Sequence, residues 1–160
     1  MPGAFSRIRT ISFQTRLGTK IKISQFDYPF SIWDIHQLER LRRDHGFTFR
    51  NYATYLYNCH GLTFAGRRAW LDENNLQKIL EEDGYKPVDR DKVLPGDIIL
   101  YFNSIGSIEH SGIVVGMSDA PRIPLVCSKM GHGEEVLHSA FRCPYSLEDI
   151  RFYRIIDENR

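Results

Sequence analysis

Cysteine is scarce: the 160 residues hold three, Cys59, Cys127 and Cys143. An odd count argues against a disulfide framework and for a reduced, cytoplasmic setting; one pair plus a free thiol is the other arrangement it allows. A charge excess is missing as well. Lys and Arg number 21 and Asp and Glu 20, for a formal charge of +1, so nucleic acid is not expected as a partner. The run Arg40, Arg42, Arg43 reads as a solvated helix face. No apolar run approaches the roughly 20 residues a membrane span needs. The opening stretch "MPGAFSRIRTISFQTRLG" lacks a continuous apolar segment, so a secretory signal is not expected either. Internal repeats and low-complexity linkers are also missing. What remains is an ordinary composition, 42% hydrophobic and 26% charged, over a length that suits one domain with a real core.

The pattern of elements comes next. Residues 4–25 contain "FSRIRTISF" and "TKIKIS", which read as short strands in a hairpin turning at Leu17-Gly18. In "SIWDIHQLERLRRDHG", Ile32, Ile35, Leu38 and Leu41 fall at helical spacing, with Ser31 to cap the start and Gly46 to end it. A second helix is expected from Cys59 through Trp70, with Leu62, Ala65, Ala69 and Trp70 as its apolar side. Asp72 reads as the N-cap of a third, in which Leu76, Ile79 and Leu80 face the core and which stops at Gly84. Four β-rich segments follow: "GDIILYF", "HSGIVVGM", "IPLVCSKM" and the weaker "EEVLHSAF". Helices first, then consecutive strands with short connections, predict an α+β fold with an antiparallel sheet. Trp33 and Trp70 are expected in the core.

Within this frame, "YNCHGLTF" stands out. A helix start supplies unpaired N–H groups and a partial positive charge that favour a thiolate, and Cys59 sits where the second helix begins. Gly61 leaves room for a close approach to the first turn. A nucleophilic thiol needs a base, usually histidine. His60 diverges from Cys59 by about 100° on a helix. His36 and His45 read as surface residues, whereas His110 opens a strand just after a turn, a suitable place for a Cys–His pair. Asp97, after Pro95-Gly96, reads as a turn-fixing residue, and Cys127 and Cys143 as core. The spacings of Cys59, His110, His132, His138 and Cys143 match no zinc signature, so no metal or other cofactor is expected.

Taken together and in order, "NCHGLTF", "LPGDIILYF" and "HSGIVVG" resemble the three blocks of the NlpC/P60 peptidases, a papain-like family. The resemblance covers roughly residues 52–130. It implies a papain-like fold in which N-terminal helices pack on an antiparallel sheet of four to six strands. It also implies one domain over 1–160, with 1–50 as an extension of strands and one helix and 51–160 as the catalytic core. Cys59 matches the family's nucleophile and His110 its base. The third polar residue belongs on the next strand, "PLVCSKM", where Ser128 can accept a hydrogen bond; Lys129, His132 and His138 are the other candidates. Asn58 stands where the family has Asp, and His60 where it has Ser. Tyr52, Tyr55 and Tyr57 are available for the family's supporting tyrosine, and Tyr55, Tyr57 and Asn58 are the expected oxyanion or supporting residues beside the Cys59 backbone N–H. The implied activity is hydrolysis of an amide through a thioester. The implied substrate is a peptide or peptidoglycan fragment with a γ-D-glutamyl link, with an inhibitor protein as a further partner. Without a signal, the chain is expected in the cytoplasm at synthesis, with a dedicated secretion machine as the route outward. A glutamine deamidase, transglutaminase or acyltransferase on the same fold is the first alternative, and a catalytically silent binding module is the second.

Overall fold

The computed structural model describes residues 7–157. Nine strands and three helices run in the order β1 (Arg7–Gln14), β2 (Lys20–Asp27), α1 (Ile32–His45), β3 (Thr48–Asn51), α2 (Cys59–Ala65), α3 (Leu76–Glu82), β4 (Tyr85–Val88), β5 (Ile98–Phe102), β6 (Ile108–Met117), β7 (Pro124–Lys129), β8 (Glu135–Ser139) and β9 (Asp149–Ile155). The fold is α+β, and its main sheet is antiparallel throughout, in the order β3-β8-β7-β6-β5-β9-β4. The sheet therefore has seven strands, not four to six. The three beyond expectation have weak local signatures. β3 is four exposed residues, β4 carries Pro87 and is tolerated at the sheet edge, and β9 interleaves Asp149, Arg151 and Arg154 with its one buried residue, Phe152.

β1 and β2 form a separate hairpin whose turn includes Gly18 at φ 86°. The part of the expected first strand at residues 4–6 lies outside the described residues. Phe13, Ile21 and Ile23 join Ala65, Leu71, Leu76, Ile79, Leu100 and Ile108 in one core cluster, so the hairpin packs with α2 and α3 on one sheet face. A second cluster, with Val93, Ile99, Tyr101, Val114, Val126 and Phe152, lies on the other face. The boundary expected at residue 50 falls within β3, which belongs to the main sheet.

α1 has the caps its sequence predicts. Ser31 Oγ accepts from Asp34 N–H, the Asp34 carboxylate accepts from Ser31 N–H, and Gly46 closes the helix at φ 62°. None of its residues is buried, and Ile32 is 76% and Trp33 71% exposed. Trp33 is thus a surface residue, because helical spacing specifies a stripe but not a surface to cover it. Trp70 is half-buried, edge-on to Phe26, and its backbone pairs with Ser24. α2 ends earlier than expected, since Gly66 (φ 59°) and Arg67 (φ 63°) are both left-handed. Asp72 caps a short turn at Glu73–Asn75 that leads into α3, where Leu76, Ile79 and Leu80 are buried as predicted. Asp97 holds its turn by accepting from Leu94 N–H, and it also takes a two-pronged ion pair from Arg154 of β9.

Candidate functional site

Cys59 is the first residue of α2, and Asn58 is its N-cap. Asn58 Oδ1 accepts from Gly61 N–H at 2.8 Å and from Leu71 N–H at 3.0 Å, while its amide donates to Leu71 O at 2.9 Å. This one side chain satisfies a helix-end donor and ties the segment after α2 back to its first turn. Gly61 is required there: a Cβ would stand 1.9 Å from Ala69 O. Asn58 is thus committed to structure. Thr63 Oγ1 donates to Cys59 O, Ser111 Oγ donates to Thr63 Oγ1, and His60 Nδ1 lies 2.7 Å from Ser111 Oγ. These bonds fasten α2 to β6 at Ser111, the residue after His110.

Cys59 is 6% exposed. Burial pushes Cys59 up to about 11, against the opposing pull of the N–H groups of Ser111, His60 and Cys59 and the charge of Lys129. The N–H of Ser111, the residue after His110, is thus among the groups that favour the thiolate. The resting thiol is protonated at neutral pH, because desolvation outweighs the helix-start donors.

His110 pairs across the sheet with Tyr101 and is 0% exposed. Its ring stacks on Tyr145 at 4.0 Å and lies 6.5 Å from the ring of His138. Neither ring nitrogen has a hydrogen-bond partner among the described residues. Burial, with His138 and His60 nearby, holds the imidazole well below its ordinary range, so it is neutral. No hydrogen bond joins it to Cys59 in this state. An unbonded buried imidazole is costly, by about 1–3 kcal/mol for the missing partners, and such groups are uncommon outside functional positions.

The expected hydrogen bond from His110 to Ser128 is not formed. Ser128 Oγ lies 2.7 Å from His138 Nε2, and His138 Nδ1 donates to Ser139 O at 2.8 Å. The second bond leaves Nε2 as an acceptor, so Ser128 donates to His138. His138 on β8 is thereby fixed on the same sheet face as His110.

Tyr57 Oη donates to Glu135 Oε2 at 2.8 Å, so it is bound into a buried network and does not point to an oxyanion. Arg67 grips Glu135 with two bonds, at 2.8 and 2.6 Å, and Cys127 Sγ donates to it at 3.4 Å. Tyr55 belongs to a more open aromatic cluster, stacked on His132 at 4.5 Å and packed on Phe30 and Tyr28. Beside Asn58 and His60 a groove of about 250 Å³ opens, lined also by Trp70, Asp72 and Glu109; neither Cys59 nor His110 lines it.

Sequence reasoning named Lys129 only as an alternative third catalytic residue, and it missed Glu135 and Tyr145. A lysine in an otherwise apolar strand, "PLVCSKM", was the available signal for the first. All three cysteines are free and buried. Among the described residues, no group of three or more His, Cys, Asp or Glu side chains is arranged to hold a metal ion. No helix among them is long and apolar enough to cross a membrane. Comparison with protein-family models, curated proteins and solved structures finds no match to this chain.

Proposed function

We propose that the protein is a cysteine-dependent amide hydrolase of papain-like, NlpC/P60 type, with Cys59 as nucleophile and His110 as base. The observation that carries this reading is a juxtaposition. A cysteine at a helix start stands on a helix that is hydrogen-bonded to Ser111, the residue after His110, and the His110 imidazole is fully buried with both nitrogens unbonded. The order of elements, with α2 before the consecutive antiparallel strands β5 to β8 and the histidine on β6, agrees with the family the motifs resemble.

In the proposed reaction His110 accepts the thiol proton as Cys59 attacks the substrate carbonyl. The imidazolium then protonates the leaving amine, and water hydrolyses the thioester with His110 again as base. Because the resting pair is a neutral thiol and a neutral imidazole, proton transfer accompanies attack instead of preceding it. The burial of both groups means that covering side chains must move before a substrate reaches the sulfur. The substrate class is a peptide or a γ-D-glutamyl wall fragment, on family analogy alone. Ammonia release from a glutamine side chain is the transfer-type alternative on the same dyad.

A catalytically silent binding module is the second reading. It is favoured by the raised thiol pKa and by the absence of a hydrogen-bonded orienter on His110. One experiment separates the two. Wild-type protein and Cys59→Ser are incubated with purified wall peptides and with glutamine-containing proteins, and new amine termini and ammonia are measured. The hydrolase reading expects release by wild type alone, with an acyl adduct on Cys59 detected by mass spectrometry. Binding of wall peptides without any release, by either protein, would establish the module.

A further inference from the structure

His110 has no hydrogen-bonded orienter among the described residues, but aromatic rings enclose it. Tyr101 lies 5.4 Å away between ring centres and tilted by 41°, His138 at 6.5 Å and 35°, and Tyr145 at 4.0 Å and 10°. Of these three, Tyr145 alone is stacked face to face on the imidazole. It belongs to the connection between β8 and β9, and it also packs against two core clusters, one around Tyr101 and Val126 and one around Phe47 and Met130. Two hydrogen bonds tie that connection to the strands beside the histidine. Tyr101 Oη donates to Ala140 O at 2.7 Å, and Ser146 N–H donates to Glu109 Oε1 at 2.7 Å. Tyr101 is the partner of His110 across the sheet, and Glu109 immediately precedes it. The segment that carries Tyr145 is thus fastened on both sides of the point where its ring meets the imidazole.

A hydrogen-bonded orienter fixes an imidazole by occupying one of its nitrogens. A ring stacked on its face fixes the plane and occupies neither, which matches the two unbonded nitrogens of His110. The stack also distinguishes the two charge states. The face of a phenol ring carries negative charge density, so it attracts an imidazolium more strongly than a neutral imidazole. We propose, resting on the Cys59–His110 reading, that Tyr145 is the positioning residue of this site, its ring standing in for a hydrogen-bonded third member by holding the plane of the His110 imidazole and favouring the charge it takes up during attack. The proton that Cys59 releases goes to a ring nitrogen of His110 as the sulfur bonds to the substrate carbonyl, and from there to the leaving amine. Tyr145 neither gains nor loses a proton. Burial raises its phenol above the ordinary range, so the ring stays neutral while the imidazole changes charge.

The test compares full-length wild type with Tyr145→Phe and Tyr145→Leu on the wall peptide or glutamine-containing protein that wild type cleaves, with kcat and KM measured separately. Tyr145→Phe keeps the ring and removes the hydroxyl, so kcat should stay within about two-fold of wild type. Tyr145→Leu removes the ring. Its kcat should fall about 10-fold or more with KM within about two-fold, because the stack acts on charge that appears only during the reaction. A folded Tyr145→Leu with the kcat of wild type would overturn the proposal, and so would a loss confined to KM or a Tyr145→Phe as impaired as Tyr145→Leu. A second arm needs neither a substrate nor a folded Tyr145→Leu. Histidine labelled with carbon-13 in the ring is placed in wild type and in Tyr145→Phe, and the His110 signals are identified by their loss in His110→Leu. The His110 ring protons should lie upfield in both proteins, shielded by the aromatic face stacked on them. Signals at unstacked positions in wild type would overturn the proposal too. Hydrolysis by wild type together with an equally active Tyr145→Leu would remove Tyr145 alone and leave the Cys59–His110 reading standing. Absence of hydrolysis by wild type, or hydrolysis that Cys59→Ser retains, would remove that reading and this proposal with it.

Discussion

The two faces of the seven-stranded sheet bury polar groups in opposite ways. On the face that carries α2, Glu135 receives Arg67, Tyr57 and Cys127, Lys129 donates to two carbonyls, and Ser111 sits between His60 and Thr63. Each of these buried groups has a hydrogen-bond partner. On the other face Ser128 and His138 satisfy each other, but His110 stacks on Tyr145 with both nitrogens unbonded. Satisfied buried networks fix a structure; an unsatisfied group must be held by its surroundings and is the usual mark of a chemical role. Cys59 opens α2, which is fastened through Thr63 to Ser111 of β6, the residue next to His110. The comparison therefore predicts that substitutions on the α2 face lower stability, and that substitution of His110 lowers activity without that penalty.

The largest expected loss of stability comes from Glu135→Ala. It leaves the buried Tyr57 phenol and Cys127 thiol without their acceptor, at about 1–3 kcal/mol each, while the loss of the ion pair adds little because Arg67 is 45% exposed and stays hydrated. Urea denaturation should show that loss, and a change below about 1 kcal/mol would erase the contrast between the faces. His110→Leu is the converse test. It removes an unbonded ring of similar volume, so the lost stacking, about 0.5–1.5 kcal/mol, is offset by relief of about 1–3 kcal/mol of unmet hydrogen bonding. The expected outcome is an unchanged or raised melting temperature together with a fall in amide hydrolysis of about 100-fold or more. A marked fall in melting temperature would show that the ring is structural.

Acid should reveal the buried histidines of both faces together. Burial holds His60 down to about 4, His110 well below its ordinary range and His138 below it. The unfolded chain therefore binds more protons than the folded one below pH about 6.5, and stability is lost as pH falls from there. Each such histidine contributes a slope of about 1.4 kcal/mol per pH unit, continuing to about 4 for His60. Denaturation midpoints measured between pH about 7 and 5 should fall steeply in wild type and less steeply in His110→Leu. Equal slopes in the two proteins would mean that His110 is protonated in the fold.

Much of this arrangement was legible in the sequence, for identifiable reasons. Ser31, Gly46, Asn58 and Asp72 lie at element ends where short polar side chains and glycine act locally, so α1, the start of α2 and the turn before α3 could be placed from neighbours alone. β5 to β8 are apolar enough to announce themselves. β3, β4 and β9 are not, because edge and near-edge strands carry charges and proline that only their partners across the sheet explain. The positions of Cys59 and His110 were read from motif order. The roles of Ser128 and Tyr57 were not, since each is claimed by a residue distant along the chain, His138 and Glu135, that no local pattern identifies. The burial of Lys129 was hidden for a similar reason: it depends on Thr54, Tyr57 and Gly131 meeting around it.

The smallest predicted effect sharpens the comparison within the His110 face itself. Ser128→Ala removes the hydroxyl that donates to His138 Nε2 but leaves His138 Nδ1 bonded to Ser139 O. The cost should be near that of one hydrogen bond with an acceptor left behind, about 1–2 kcal/mol, readable as a modest shift in urea midpoint. Since Ser128 makes no hydrogen bond to either nitrogen of His110, hydrolysis should stay within a few-fold of wild type. A loss comparable to that of His110→Leu would mean that Ser128 turns to His110 during the reaction, and that the triad implied by the motif order assembles only once substrate has opened the site.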